Sequence, residues 1–253
     1  MEILNRKGKK IAADVHYPKQ KYTSVVILVH GFMGSKDHSF MKHLAQGLCE
    51  AGFISIRFDF TNEIGESEGD IEEISFENEI EDLKDVINYA RTLDGSNGQI
   101  ALIGHSLGGA VSLVTAKRED IMCTVSMSSP VETRKESLMA FGVSKEELDN
   151  WERKGYIKIK SPYMDREVRL PWKFFEERSS YDFGEILENT KNHLVIQGNA
   201  DKVVPLEAGK RIYKKVKEPK RIVIIDELTH FYKDENALNK VLDKTKEWLN
   251  EFI

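Results

Sequence analysis

In the stretch QIALIGHSLGGA (99–110), Ser106 stands between Gly104 and Gly108, with Gly109 just beyond. A serine hydroxyl attacks poorly near neutral pH. It needs a base to take its proton, a group to orient that base, and donors for the oxyanion it creates. The pattern G-x-S-x-G, entered from an apolar strand and left into a helical pattern, is that of a nucleophile elbow. There the chain turns so sharply that the serine takes a positive φ, and small neighbours are needed to avoid a clash. A tight turn whose serine only caps the next helix would show the same five residues. The partners decide between the two.

Seven histidines compete for the base. His16 lies in an opening hairpin, His38 and His43 at the start of a helix, and His193 at the head of a strand, where each has a structural role to fill. His105 adjoins Ser106, and adjacent side chains on a sharp turn diverge; His30 precedes Gly31 on a loop. His230 in IIDELTHFY follows the last strand and is free to swing toward the elbow. For the orienting acid, Asp201 in IQGNADKVVP lies just past a buried strand, whereas Asp226, four residues before His230, suits a turn. The chain order Ser106, Asp201, His230 is one in which such triads occur. Backbone N–H groups suffice for the oxyanion. Leu107, at a helix N-terminus, is one candidate donor. Phe32, in the bend HGFMGS between Gly31 and Gly34, is the other.

These residues need a scaffold that delivers them to one edge. The runs SVVILVH (24–30), FISIRFDF (53–60), QIALIGH (99–105), IMCTVSMSSP (121–130), HLVIQGN (193–199) and KRIVIID (220–226) are continuous and rich in β-branched residues, as in strands buried on both faces. Between them lie helical patterns: SFMKHLAQGLCEAG, ending at Gly52; SFENEIEDLKDVINYARTL, with Ser75 as cap; a helix from Leu206 to Val216; and a closing helix from Glu235. The alternation predicts an α/β fold, a mostly parallel central sheet flanked by helices, behind an opening hairpin. The core is assigned to 1–130 and 181–253. Residues 131–180 break the alternation and read as an inserted cap of a helix plus a β-hairpin. Its aromatics, among them Phe141, Trp151, Tyr163 and Trp172, either glue the cap to the sheet or roof a pocket.

With 253 residues the chain can bury one substantial core. A net charge of −5 gives no reason to expect nucleic acid or an anionic membrane surface as a partner. No apolar secretory segment or membrane span is visible. Cys49 and Cys123, both in apolar contexts, fit a reducing cytoplasm better than a disulfide framework. Neither has a metal-ligand spacing with a histidine, and no metal is expected.

Through HGFMGS, GHSLGG, GNADKVVP and LTHFY the chain resembles the α/β-hydrolase superfamily over nearly its whole length. The opening hairpin and the insertion resemble the feruloyl/cinnamoyl esterase-like group. In that group RFDF normally continues into Gly-His-Gly-x-Ser, where this chain reads TNEIGESEG, and glutamine often follows the nucleophile, where this chain has Leu107. The resemblance implies a serine carboxylesterase for small acyl or aryl esters. Ser106 would attack, His230 would relay the proton, Asp201 would orient it, and the Phe32 and Leu107 amides would hold the oxyanion. No cofactor is implied. Gly31, Tyr163 and Trp172 are candidate substrate contacts. The expected partner is a small-molecule ester, with a homodimer left open. A serine aminopeptidase or amidase of the same superfamily is the competing enzyme reading; a non-catalytic binding protein on this fold would more often lack a triad member.

Overall fold

The computed structural model describes residues 2–19, 23–161 and 167–253. The chain opens with an antiparallel pair, β1 (Glu2–Leu4) on β2 (Lys10–His16). There follow β3 (Thr23–Val29), α1 (Ser39–Glu50), β4 (Ile54–Phe58), α2 (Phe76–Arg91), β5 (Ser96–His105), α3 (Leu107–Ala116) and β6 (Cys123–Met127). Next comes the segment holding α4 (Lys145–Lys154), β7 (Tyr156–Lys160), β8 (Glu167–Pro171) and α5 (Trp172–Ser179). The core resumes with α6 (Phe183–Asn189), β9 (His193–Gly198), α7 (Leu206–Lys215), β10 (Lys220–Ile225) and α8 (Glu235–Leu249).

One eight-stranded sheet runs β1-β2-β4-β3-β5-β6-β9-β10. It is parallel from β4 onward, and β2 joins β4 antiparallel. The strand period of two sends alternate residues to opposite layers. Val25, Ile27 and Val29 of β3 pack toward α2 and α3, while Val26 and Leu28 pack toward α1 and α8. Ile56, Ile27 and Leu102 stand in register across three strands, all fully buried. Each such side chain contributes roughly 1.5–3 kcal/mol of burial free energy. Helix starts follow local chemistry: Ser75 caps α2 by accepting the Asn78 N–H, and Asp234 caps α8 by accepting that of Ala237. Helix α6 has no counterpart in the sequence reading. Its seven residues span too few turns for periodicity to show, and Asp182 starts it as a cap.

Between β6 and α6 the chain leaves the sheet. A 3₁₀ turn (Lys135–Phe141) leads to α4, which Ser144 and Glu147 start as a reciprocal capping box. β7 and β8 pair antiparallel, burying Ile157, Ile159, Val168 and Leu170 on one face. These residues and Trp151 belong to the same apolar cluster as the α2 and α3 side of the sheet. The parallel strands end together at one edge, and the loops after β3, β5, β9 and β10 meet there.

Candidate active site

At that edge β5 runs into α3 with a single residue between them. Ser106 takes φ +51° and ψ −123°, a conformation strained for any residue but glycine. Its N–H donates to the Met127 carbonyl at 2.8 Å, which pins the turn to β6. The flanking glycines follow from contact. A Cβ on Gly104 would lie 2.5 Å from the Gly109 N, and one on Gly31 would lie 2.8 Å from the Ser106 Cβ. A side chain at either place would push the turn open.

The loop after β10 brings His230 over the serine, its Nε2 3.1 Å from Ser106 Oγ. Its Nδ1 lies 2.9 Å from Asp201 Oδ2 on the loop after β9. The other Asp201 oxygen accepts the N–H groups of Val203 and Val204 at 2.9 and 2.8 Å. A carboxylate only accepts, so Nδ1 of His230 carries the hydrogen and Nε2 is left to receive the serine proton. All three residues are buried. Asp226, the rival acid, instead accepts from Asn199 Nδ2 on the exposed side of the same loop pair.

The remaining histidines sort by their surroundings. His105 Nε2 donates to the His230 carbonyl at 2.9 Å, fixing the loop that carries the base. Burial first, and then the neighbouring His230, drive its pKa well below the ordinary value, so it serves as a neutral donor. His30 accepts the Phe60 N–H at Nε2, 3.1 Å away, and burial lowers its pKa to about 4. His193 lies between the hydroxyls of Thr124 and Ser126, and burial lowers it to about 3.

A cleft of about 340 Å³ opens over Ser106, lined by Gly31, Phe32, Gly34, His38, His105, Phe141, His230 and Phe231. Gly31 and Phe32 both lie at its wall. Leu107 opens α3, so its N–H has no intrahelical acceptor. Among the described residues no acceptor meets the Phe32 N–H either. The Phe32 ring stacks on Phe174 of α5 at 5.7 Å and meets Phe141 edge-on at 6.1 Å. Trp172 is a correction: it does not line this cleft but packs against Trp151 and Phe175, at 5.3 and 4.9 Å, as part of the cap's own core. Tyr163 lies outside the described residues. Sequence reasoning missed His38 and Phe231, because a helix cap and an exposed aromatic carry no motif. It counted Phe141 only as one cap aromatic among many. A larger recess of about 480 Å³ lies beyond, where Val203 and Val204 meet Arg134 and Arg211, and it contains none of the three triad residues.

A mostly parallel sheet, a serine elbow and a histidine and an acid on later loops define a hydrolase of the α/β-hydrolase type. The chain belongs to the X-Pro dipeptidyl-peptidase (S15) family, whose model matches residues 7–181. It is 27% identical over 223 residues to an uncharacterized 31.7 kDa protein of the traX-finO intergenic region of Escherichia coli, covering 76% of this chain and 77% of that one. Carboxymethylenebutenolidase 1 of Cupriavidus pinatubonensis is 25% identical over 139 residues, covering 49% of this chain and 58% of the enzyme. In fold it is similar to Est1E from Butyrivibrio proteoclasticus with ferulic acid bound, at TM-score 0.84 and 23% identity over 100% of this chain and 98% of that one. Among the described residues no helix is long and apolar enough to cross a membrane.

Proposed function

We propose that the protein is a serine carboxylesterase that hydrolyses small acyl or aryl esters through an acyl-enzyme. One observation carries this reading: Ser106, His230 and Asp201 form an unbroken hydrogen-bonded chain ending on a strained serine that faces the cleft. Ser106 Oγ attacks the ester carbonyl and its proton passes to His230 Nε2. Asp201 holds the imidazole and stabilises the cation that forms. The Phe32 and Leu107 amides receive the oxyanion. His230 then protonates the departing alkoxide, and water, activated by the same histidine, releases the acid.

The family assignment favours a second reading, cleavage on the carboxyl side of proline to release an X-Pro dipeptide. Such a substrate brings an α-ammonium group that needs an anion beside it. Among the described residues the cleft presents aromatic rings and imidazoles and no carboxylate, which supports esters as substrates.

Initial rates over p-nitrophenyl esters from acetate to laurate, methyl ferulate and Ala-Pro-p-nitroanilide, with Ser106→Ala as control, test the choice. We expect ester turnover that falls about 10⁴-fold or more in the variant. Anilide cleavage faster than ester cleavage would establish the peptidase reading. No Ser106-dependent turnover would refute both.

A further inference from the structure

Behind the loop that carries Phe32 lies a buried polar group that the triad does not use. The Gly34 N–H donates to the Gly31 carbonyl at 2.8 Å, closing a four-residue turn in which Met33 takes φ +53°. A positive φ at the third position is the mark of a type II turn, where glycine or asparagine is usual. A buried methionine there needs an outside constraint. Glu63, from the TNEIGESEG segment, supplies one: its Oε1 accepts the Met33 N–H at 3.1 Å, and its Oε2 lies 3.3 Å from its neighbour Ile64 N. Turning the Phe32–Met33 peptide over into a type I turn would aim the Phe32 carbonyl at that carboxylate instead.

Glu63 is itself held from behind. Glu79 of α2 lies against it, fully enclosed, and among the described residues no N–H or O–H from elsewhere reaches either Glu79 oxygen. Two carboxyl groups in contact hydrogen-bond only by sharing a proton. Burial, opposed by the Met33 and Ile64 N–H groups, raises Glu63 to about 8, and burial with Glu63 beside it raises Glu79 well above the usual range. Arg178 of α5 faces Glu79 and donates through Nη2 to the Pro130 carbonyl at 2.6 Å, where the chain enters the cap.

We infer that Glu63 is a positioning residue for the oxyanion side of the cleft, anchoring through the Met33 N–H the turn whose preceding peptide carries the Phe32 N–H. The inference rests on the proposed function, in which that amide receives the oxyanion. Loss of a direct oxyanion donor lowers kcat by about 10²–10³. Loss of the residue that aims one is expected to lower kcat about 10–100-fold and leave KM within about threefold, because the amide acts chiefly in the transition state.

The test compares Glu63→Leu, Glu63→Gln and Glu63→Asp with wild type and Ser106→Ala. Readouts are kcat and KM on p-nitrophenyl acetate, inhibition by a trifluoromethyl ketone whose adduct carries an oxyanion, and thermal midpoint. Gln keeps an acceptor at the same reach and should stay within about threefold of wild type. Leu removes the acceptor, and Asp keeps the charge but withdraws it by one methylene. Both should lose kcat and ketone affinity in the same proportion. If Leu does not fold, the order Gln above Asp carries the same information. A folded Leu or Asp variant with wild-type kcat would overturn the role, as would a folded Gln variant as impaired as Asp. No Ser106-dependent turnover in wild type would overturn the ester reading and this role with it. Turnover that needs Ser106 but is indifferent to position 63 would overturn this role alone.

Discussion

Two buried carboxylate sites lie on opposite sides of the elbow, and they resolve the cost of burial differently. Asp201 is surrounded by donors, two backbone amides and the His230 Nδ1–H, so each oxygen is satisfied. Among the described residues the donors near Glu63 and Glu79 are the Met33 and Ile64 amides and one partly engaged guanidinium, and the pair keeps a proton. An isolated charge cannot be left in a low-dielectric interior. One site meets that rule with hydrogen-bond donors and the other by staying partly protonated. The first arrangement keeps a fixed negative charge under an imidazole that must become cationic. The second is a brace, whose product is the shape of a turn.

Asp201→Asn should separate the two most sharply. The amide can present its NH₂ to Nδ1, which favours the wrong imidazole tautomer, with Nε2 protonated and facing Ser106. Ester turnover is expected to fall by about 10³–10⁴ with the thermal midpoint close to wild type. A loss of less than about tenfold, measured as kcat on p-nitrophenyl acetate, would mean that Asp201 is a turn residue and would end the contrast.

Glu79→Gln probes the brace through pH. In the folded wild type burial raises both carboxyls, Glu63 to about 8 and Glu79 well above its ordinary value, whereas an unfolded glutamate releases its proton near 4.5. Over that window the native state binds more protons than the unfolded chain, so stability falls as pH rises from about 4.5 to 8. The amide removes one titrating carboxyl and still donates to Glu63. The variant's thermal midpoint should therefore rise relative to wild type between pH 5 and 8.5, by about 5 °C. His30, His105 and His193 act in the opposite direction, losing stability as pH falls below 6.5, but they are common to both proteins and cancel in the difference. A pH-independent gap would show that the two carboxyls do not share a proton.

The two sites also differ in how far the sequence reveals them. The elbow, the histidine loop and the acid loop each carry a local signature, because strand-to-loop junctions are marked by Gly, Asn and Pro at fixed offsets from β-branched runs. The sheet was legible for the same reason, since Val25 to Val29 can only be a strand buried on both faces. Glu63 and Glu79 lie among many acids in a chain holding 42 Asp and Glu, and nothing local distinguishes a buried glutamate from a solvated one. Only the departure of TNEIGESEG from the family's Gly-His-Gly-x-Ser marked the place. Their partnership depends on how the loop after β4 folds back against the first turn of α2, a packing contact that no local pattern encodes. Trp172 failed the other way: its aromatic character pointed to the pocket, and the hairpin geometry turned it into the cap's core.

That misplacement gives the smallest effect and the finest test of which cap residues meet substrate. Phe141 ends the 3₁₀ turn, lines the cleft and touches the Phe32 ring at 6.1 Å, while Trp172 is packed on Trp151 at 5.3 Å. Phe141→Ala removes an aromatic wall, so KM for methyl ferulate should rise about three- to tenfold while p-nitrophenyl acetate, too short to reach it, changes little. Trp172→Ala should lower the thermal midpoint through loss of a well-packed ring, with the ratio of the two KM values unchanged. The ratio is the informative quantity, since a general loosening of the cap raises both constants together. An altered ratio in Trp172→Ala with none in Phe141→Ala would mean that the cap reorganises around bound substrate and brings its inner cluster to the cleft.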